Sequence, residues 1–172
     1  MKKAFSVLEL LVAMAIVAVC AGLSLLVFPR LTENARSAAC LSNLRQLGTA
    51  LNLYLGENRE TMPTLQAGRR SKAEEVPVID NTLDVYAKNP AVFACPSDKK
   101  QLAATTGTSY YWNTALNGQA LASLKFLNLS DSLNQIPILA DKEGFHPFVD
   151  KKVNLLYADG HVTKDLTFYT TP

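Results

Sequence analysis

Residues Met1–Phe28 read MKKAFSVLELLVAMAIVAVCAGLSLLVF. Lys2, Lys3 and Ala4 precede Phe5, and the chain then runs apolar to Phe28 with one carboxylate, Glu9. About 24 residues of helix span roughly 36 Å, enough to cross a hydrocarbon core of ~30 Å with some tilt. A charge at that depth costs roughly 2.5–3.5 kcal/mol on insertion scales, so Glu9 needs compensation. Lys2 and Lys3 lie before the apolar run and the next cation is Arg30. The positive-inside rule therefore predicts a cytoplasmic N-terminus, with the remainder of the chain across the membrane.

Three plainer readings compete. A secretory signal cut near Val19-Cys20-Ala21 is one. It leaves a carboxylate near the start of the apolar region, and the run continues past the cut to Phe28. A lipoprotein signal ending at Cys20 is the second, with Val19 bulkier than the small residue such sites want. A plain single-pass anchor is the third, and it gives Glu9 no purpose.

The chain has 172 residues, 48% of them hydrophobic, which allows one membrane helix and one modest domain. The net charge of +2 and pI near 8.4 are too mild to predict nucleic-acid binding. The densest basic cluster, Arg69, Arg70 and Lys72, is followed at once by Glu74 and Glu75, which reads as a solvated loop. Of the three cysteines, Cys20 falls in the apolar run. Export of the domain leaves Cys40 and Cys95 as disulfide partners, against the alternative of two free thiols. No CxxC or Cys/His cluster in the sequence suggests zinc.

Beyond the apolar run, Pro29 is expected to interrupt or kink the helix, with Thr32 restarting it. Leu44, Leu47, Leu51, Tyr54 and Leu55 then recur at spacings of three and four, an apolar stripe laid against a sheet. Gly56 followed by Glu57-Asn58 reads as a helix stop. Residues 57–76 read as loop. Asn81–Lys88 reads as a short helix capped by Asn81, with Leu83 and Tyr86 inward. Ser109–Asn113 and Ile136–Ala140 read as strands, Pro137 placing the second at a sheet edge or at a strand start. Asn117-Gly118 is a turn signal. Asp159-Gly160 between β-prone runs 153–158 and 161–166 predicts a two-residue hairpin turn.

The N-terminus resembles the type IV prepilin signal. That pattern is a short basic leader, a small residue at the cut, then Phe, then an apolar helix with Glu at its fifth position. Here Phe5-Ser6-Val7-Leu8-Glu9-Leu10-Leu11 follows the leader, and Ala4 stands where the family usually has Gly. The resemblance implies that a prepilin peptidase/methyltransferase cuts between Ala4 and Phe5 and N-methylates Phe5. It implies that Glu9 then pairs with the positive N-terminus of a neighbouring subunit. A paired buried charge is tolerable and sets register, whereas an unpaired one is strongly unfavourable.

It further implies an α+β pilin-like fold: a long N-terminal helix, transmembrane then amphipathic, packed on a small antiparallel sheet. The expected division is a leader at 1–4, a transmembrane and assembly helix at 5–28, its amphipathic continuation at 29–56, and a periplasmic globular domain at 57–172. The partners implied are the processing enzyme, other pilin-like subunits, the assembly platform and the inner membrane. The function implied is a pseudopilin or minor pilin of a type II secretion system or type IV pilus. A singly anchored periplasmic binding domain is the alternative.

The C-terminal half resembles pilin-like proteins with a processing-associated motif, a His followed about ten residues later by Asp-Gly. Cys40–Gly48, Phe93–Asp98, Ser109–Asn113 and Asn154–Val162 carry that likeness, and His146 stands thirteen positions before Asp159. His146 and His161, with Asp141, Asp150 and Asp159 as nearby acids, are the residues from which a catalytic or metal site would be built. His161 follows a tight turn and reads as a surface strand residue. Asp131, Asp141 and Asp150 are too scattered for a calcium loop. Asn128-Leu129-Ser130 fits a glycosylation sequon by accident. No nucleophile motif surrounds any serine. The expectation is a structural protein without catalysis, cofactor or metal.

Overall fold

The computed structural model describes residues 7–127, 131–146 and 153–164. Helix α1 (Val7–Glu57) runs unbroken for 51 residues, roughly 76 Å. The expected interruption at Pro29 does not occur. Proline removes one main-chain donor, but the residues around it stay helical. On either side, Ser24 Oγ donates to the Cys20 carbonyl (2.8 Å) and Thr32 Oγ1 to the Phe28 carbonyl (2.9 Å). Thr32 is thus an interior residue of the helix, not the start of a second one. Such back-bonding to the carbonyl four residues earlier is a tolerated use of Ser and Thr within a helix.

The two halves of α1 meet different surroundings. From Val7 to Leu25 it is apolar, exposed, and long enough to cross a membrane. From Glu33 onward one face is buried: Glu33, Ser37, Cys40, Leu44, Leu47, Ala50, Leu51 and Leu55. This is the expected leucine stripe, extended upstream by three or four residues at a time. The helix ends at Glu57, one residue past Gly56, and the chain turns away through left-handed Arg59 and Glu60.

The buried face of α1 packs on strands β3 (Leu155–Tyr157) and β4 (Val162–Thr163) and on the 3-10 turn Pro90–Phe93. With β1 (Tyr110–Trp112) and β2 (Pro137–Asp141) these strands form an antiparallel sheet in the order β1-β2-β3-β4. Pro137 opens β2, which is an inner strand and not an edge. A register shift between Pro137 and Leu139 accommodates its missing donor. Gly48 lets the helix approach the sheet closely: a Cβ there would lie 3.1 Å from Leu156 Cδ1.

The β3–β4 connection differs from the expected two-residue turn. Gly160 N donates to the Tyr157 carbonyl and Tyr157 N to the His161 carbonyl (both 2.9 Å), leaving Ala158, Asp159 and Gly160 as a three-residue loop. Only Gly160 takes a positive φ (+87°), so Asp159 needs no left-handed backbone. This is the loop in which a turn is closed by one left-handed glycine.

Between helix and sheet the chain is irregular. The helix expected at Asn81–Lys88 is one turn placed earlier, α2 (Ile79–Thr82). Asn81 still serves its start, since its side-chain oxygen accepts from Val78 N (2.9 Å). Leu83 is buried, and Tyr86 donates to Glu57 Oε2 (2.6 Å) at the end of α1. Asn117 binds both main-chain groups of Leu65 and accepts from Trp112 Nε1 (2.7 Å). The basic cluster is not wholly solvated: Arg69 is half-buried, ion-paired to Asp80, and donates to the Thr106 carbonyl (3.0 Å).

Leu156 touches the helix and both neighbouring strands at the centre of this packing. Leu156→Ala should lower the free energy of unfolding by about 2–5 kcal/mol. Urea unfolding followed by the fluorescence of Trp112 checks this.

Candidate functional site

Where α1 enters the domain, its stripe changes from leucine to Cys40, Ser37 and Glu33. Facing it is the loop Phe93-Ala94-Cys95-Pro96-Ser97-Asp98. Cys40 and Cys95 form a disulfide, with Cα atoms 5.1 Å apart. Closing a 55-residue separation constrains the unfolded chain by about 4 kcal/mol in the chain-entropy account. Each polar residue of the loop has a partner. Cys95 N donates to Ser109 Oγ (3.0 Å), and Ser109 Oγ donates to Asp98 Oδ2 (2.8 Å). Asp98 Oδ2 also accepts from Ala103 N (2.9 Å), in the first turn of α3 (Leu102–Thr106). Asn43 Nδ2 donates to the Ala94 carbonyl (2.9 Å), a second tie from α1.

Beside the disulfide lies a buried polar cluster. Glu33 Oε1 accepts from Ser97 Oγ (2.5 Å) and from His146 Nδ1 (2.9 Å). On the far side of the imidazole, Nε2 is 2.9 Å from Asn154 Nδ2, 3.6 Å from Asp141 Oδ2 and 3.7 Å from Cys95 Sγ. Asn154 donates to Asp141 Oδ2 twice, through its main-chain N (2.8 Å) and its Nδ2 (2.9 Å). His146 and Asn154 are fully buried, and Glu33, Ser97 and Asp141 nearly so. The cluster joins α1, the Cys95 loop, the end of β2 and the residue before β3.

Burial pushes the Glu33 carboxyl up. Hydrogen bonds from Ser97 and His146, with the charges of His146 and Arg36, outweigh it and hold Glu33 below its ordinary range. Burial likewise opposes the imidazolium of His146, but Asp141 and Glu33 raise it above the ordinary histidine value. For Asp141 burial wins over His146 and Asn154, and its carboxyl is pushed up. With Nδ1–H committed to Glu33, Nε2 accepts from the Asn154 amide in the neutral form. In the charged form Nε2–H faces the Asp141 carboxylate, whose Oδ2 lies 3.6 Å away.

The arrangement clamps and does not activate. Ser97 donates its hydroxyl hydrogen bond to Glu33, and His146 donates to the same carboxylate, so the imidazole is not placed to take the serine proton.

The sequence expectations fall unevenly on this geometry. His146 and Asp141 come together as nearby residues, whereas Asp159 pairs with His161 on the hairpin (2.5 Å). His161 is exposed and stacks on Tyr157, with ring centroids 4.5 Å apart. Asp131 is exposed, and Asp150 and Asn128-Leu129-Ser130 lie outside the described residues. Glu9 sits in the first turn of α1 with its side chain exposed, while Ala4 and Phe5 lie outside the described residues. Glu33, Ser97 and Asn154 were not singled out from the sequence. A signal for Glu33 existed: stepping back from Leu44 by four, three and four residues gives Cys40, Ser37 and Glu33, one face of the helix.

Two measurements test the clasp. Glu33→Ala strands His146 and Ser97 without their acceptor and should cost about 3–5 kcal/mol, read by chemical denaturation of the oxidised protein. Cys40 and Cys95 should resist alkylation until a reductant is added, whereas Cys20 should not require one; mass spectrometry of alkylated peptides reports both.

The family model of the prokaryotic N-terminal methylation motif matches residues 1–25. No curated protein and no solved structure matches the chain. The match covers the N-terminal motif alone, and the long helix laid on a small antiparallel sheet beyond it is a pilin-like arrangement.

Proposed function

We propose that the protein is a pilin-like structural subunit, a pseudopilin or minor pilin. It assembles through its N-terminal helix into a periplasmic filament that serves type II secretion or a type IV pilus. The observation that carries this reading is α1 itself. Its second half is fixed in the domain, while its first half, Val7–Leu25, is apolar and exposed, beneath a methylation motif. An apolar surface of that size needs lipid or other helices around it.

In this reading residues 1–4 are a leader removed by prepilin peptidase/methyltransferase at Ala4-Phe5, and Phe5 is N-methylated. Residues 5–28 hold the subunit in the inner membrane, with its N-terminus cytoplasmic. Residues 29–56 continue the helix into the periplasmic domain, 57–172. Other pilin-like subunits and the assembly platform are the partners. Proteins with this motif are structural and not catalytic, and the role proposed here is mechanical. Glu9 supplies selectivity: its carboxylate neutralises the N-terminus of the adjoining subunit within an apolar bundle.

Glu9→Ala should leave membrane fractionation unchanged and reduce incorporation into sheared filaments at least tenfold. Incorporation at the wild-type level would favour an anchored binding domain that does not polymerise.

A further inference from the structure

Among the described residues, Cys40, Cys95 and His146 place three metal-binding atoms within 4.8 Å of one another, all buried. We infer that, once the Cys40–Cys95 bond is reduced, these three residues form a site for a divalent cation of zinc type, with Asp141, 3.6 Å from Nε2 but outside that group, as the acid that a side-chain rotation brings to the fourth position.

The Cys95–His146 spacing suits tetrahedral coordination, and the two sulfurs, bonded to each other in the disulfide, move apart on reduction. Zinc–sulfur and zinc–nitrogen bonds of about 2.3 and 2.0 Å set sulfur and nitrogen roughly 3.5 Å apart around the ion. Cys95 Sγ and His146 Nε2 are 3.7 Å apart, and Nε2 and Asp141 Oδ2 are 3.6 Å apart. The imidazole is prepared for ligation from behind. Its Nδ1 donates to Glu33 at 2.9 Å, which leaves Nε2 as the acceptor of the ring, 2.9 Å from Asn154 Nδ2 and 3.7 Å from Cys95 Sγ. A carboxylate behind a ligating histidine is the usual way in which the tautomer is fixed and the ligand made more basic.

A second observation points to the same place. Asp141 Oδ1 and Asn154 Oδ1 are buried without a hydrogen-bond partner. Two carboxylates, Glu33 and Asp141, flank one imidazole away from solvent. A divalent cation there gives the Asp141 carboxyl a bonding partner, the cation's own charge being already neutralised by the two thiolates. Entry displaces the Asn154 amide from Nε2.

The chemistry balances with a named reductant. A phosphine takes one oxygen atom from water, becoming a phosphine oxide, and the disulfide becomes two thiols. Binding of the cation then releases both thiol protons to solvent and forms two metal–thiolate bonds. Disulfide and metal join the same two points, α1 at Cys40 and the loop at Cys95. The chain thereby keeps a cross-link between helix and domain in either redox state.

The test uses the full chain in detergent, under exclusion of oxygen, reduced with a water-soluble phosphine. Zinc or cobalt(II) is added, unbound ion is removed, and metal per chain is counted. The expected result is one ion per reduced chain and none on the oxidised chain. The cobalt form should show thiolate charge-transfer absorption and the intense visible bands of a tetrahedral site. His146→Gln should weaken binding at least a hundredfold, and Glu33→Gln, which acts behind the ligand, ten- to a hundredfold. Circular dichroism of both variants in the oxidised state, where the disulfide holds the fold, separates loss of the site from loss of structure. Equal affinity in wild type and His146→Gln would show binding by the thiol pair alone and overturn the assignment. So would substoichiometric metal on the reduced chain, or equal uptake by the oxidised one.

Discussion

One helix serves two surroundings, and everything else in the molecule is arranged around that constraint. Helix α1 is continuous for 51 residues, yet its apolar surface encircles it in the first half and narrows to a single stripe in the second. An all-round apolar helix belongs in lipid or in a bundle, and a striped one belongs on a sheet. The domain therefore grips only the second half. The sheet, the close approach at Gly48 and the clasp at Cys40 all act on that half.

The clasp is placed where the stripe would otherwise weaken. Leucines hold the helix from Leu44 to Leu55, where the sheet lies beneath it. Upstream of Leu44 the covering partner is a loop, and a loop brings its own polar backbone. Cys95, Ser97 and Asp98 answer this with a covalent bond, a hydrogen bond to Glu33 and a cap on α3. Ion pairs of this kind contribute less through attraction than through the penalty for breaking them, so Glu33 and His146 specify where the helix enters the domain.

Much of the architecture could be read from residue patterns because it rests on periodicity. The leucine stripe, the aromatic strand at Tyr110–Trp112 and the hairpin around Asp159-Gly160 are local signals, and each appears with its type correct. What escaped depends on neighbours distant in sequence. Glu33 looks like a solvent residue until its face of the helix is extended back from Leu44. Arg69 looks solvated until Asp80 and the Thr106 carbonyl close over it. Pro29 was expected to interrupt or kink the helix, since proline removes a donor and crowds the preceding turn. The chain continues through it, with Ser24 and Thr32 bonded to carbonyls nearby. In the hairpin, the residue count of the loop depended on register, which the Asp-Gly pair alone does not set.

The unbroken passage of α1 through Pro29 also determines how the molecule carries force. A continuous helix transmits axial load from one half to the other. Tension applied at its N-terminal end reaches the globular domain first at Glu33, Ser37 and Cys40. There it meets a buried ion pair and a covalent bond that resist sliding of the helix past the loop, before the leucine packing behind them is loaded. The stiff rod and its riveted end make the domain a cargo that cannot slip along its own shaft.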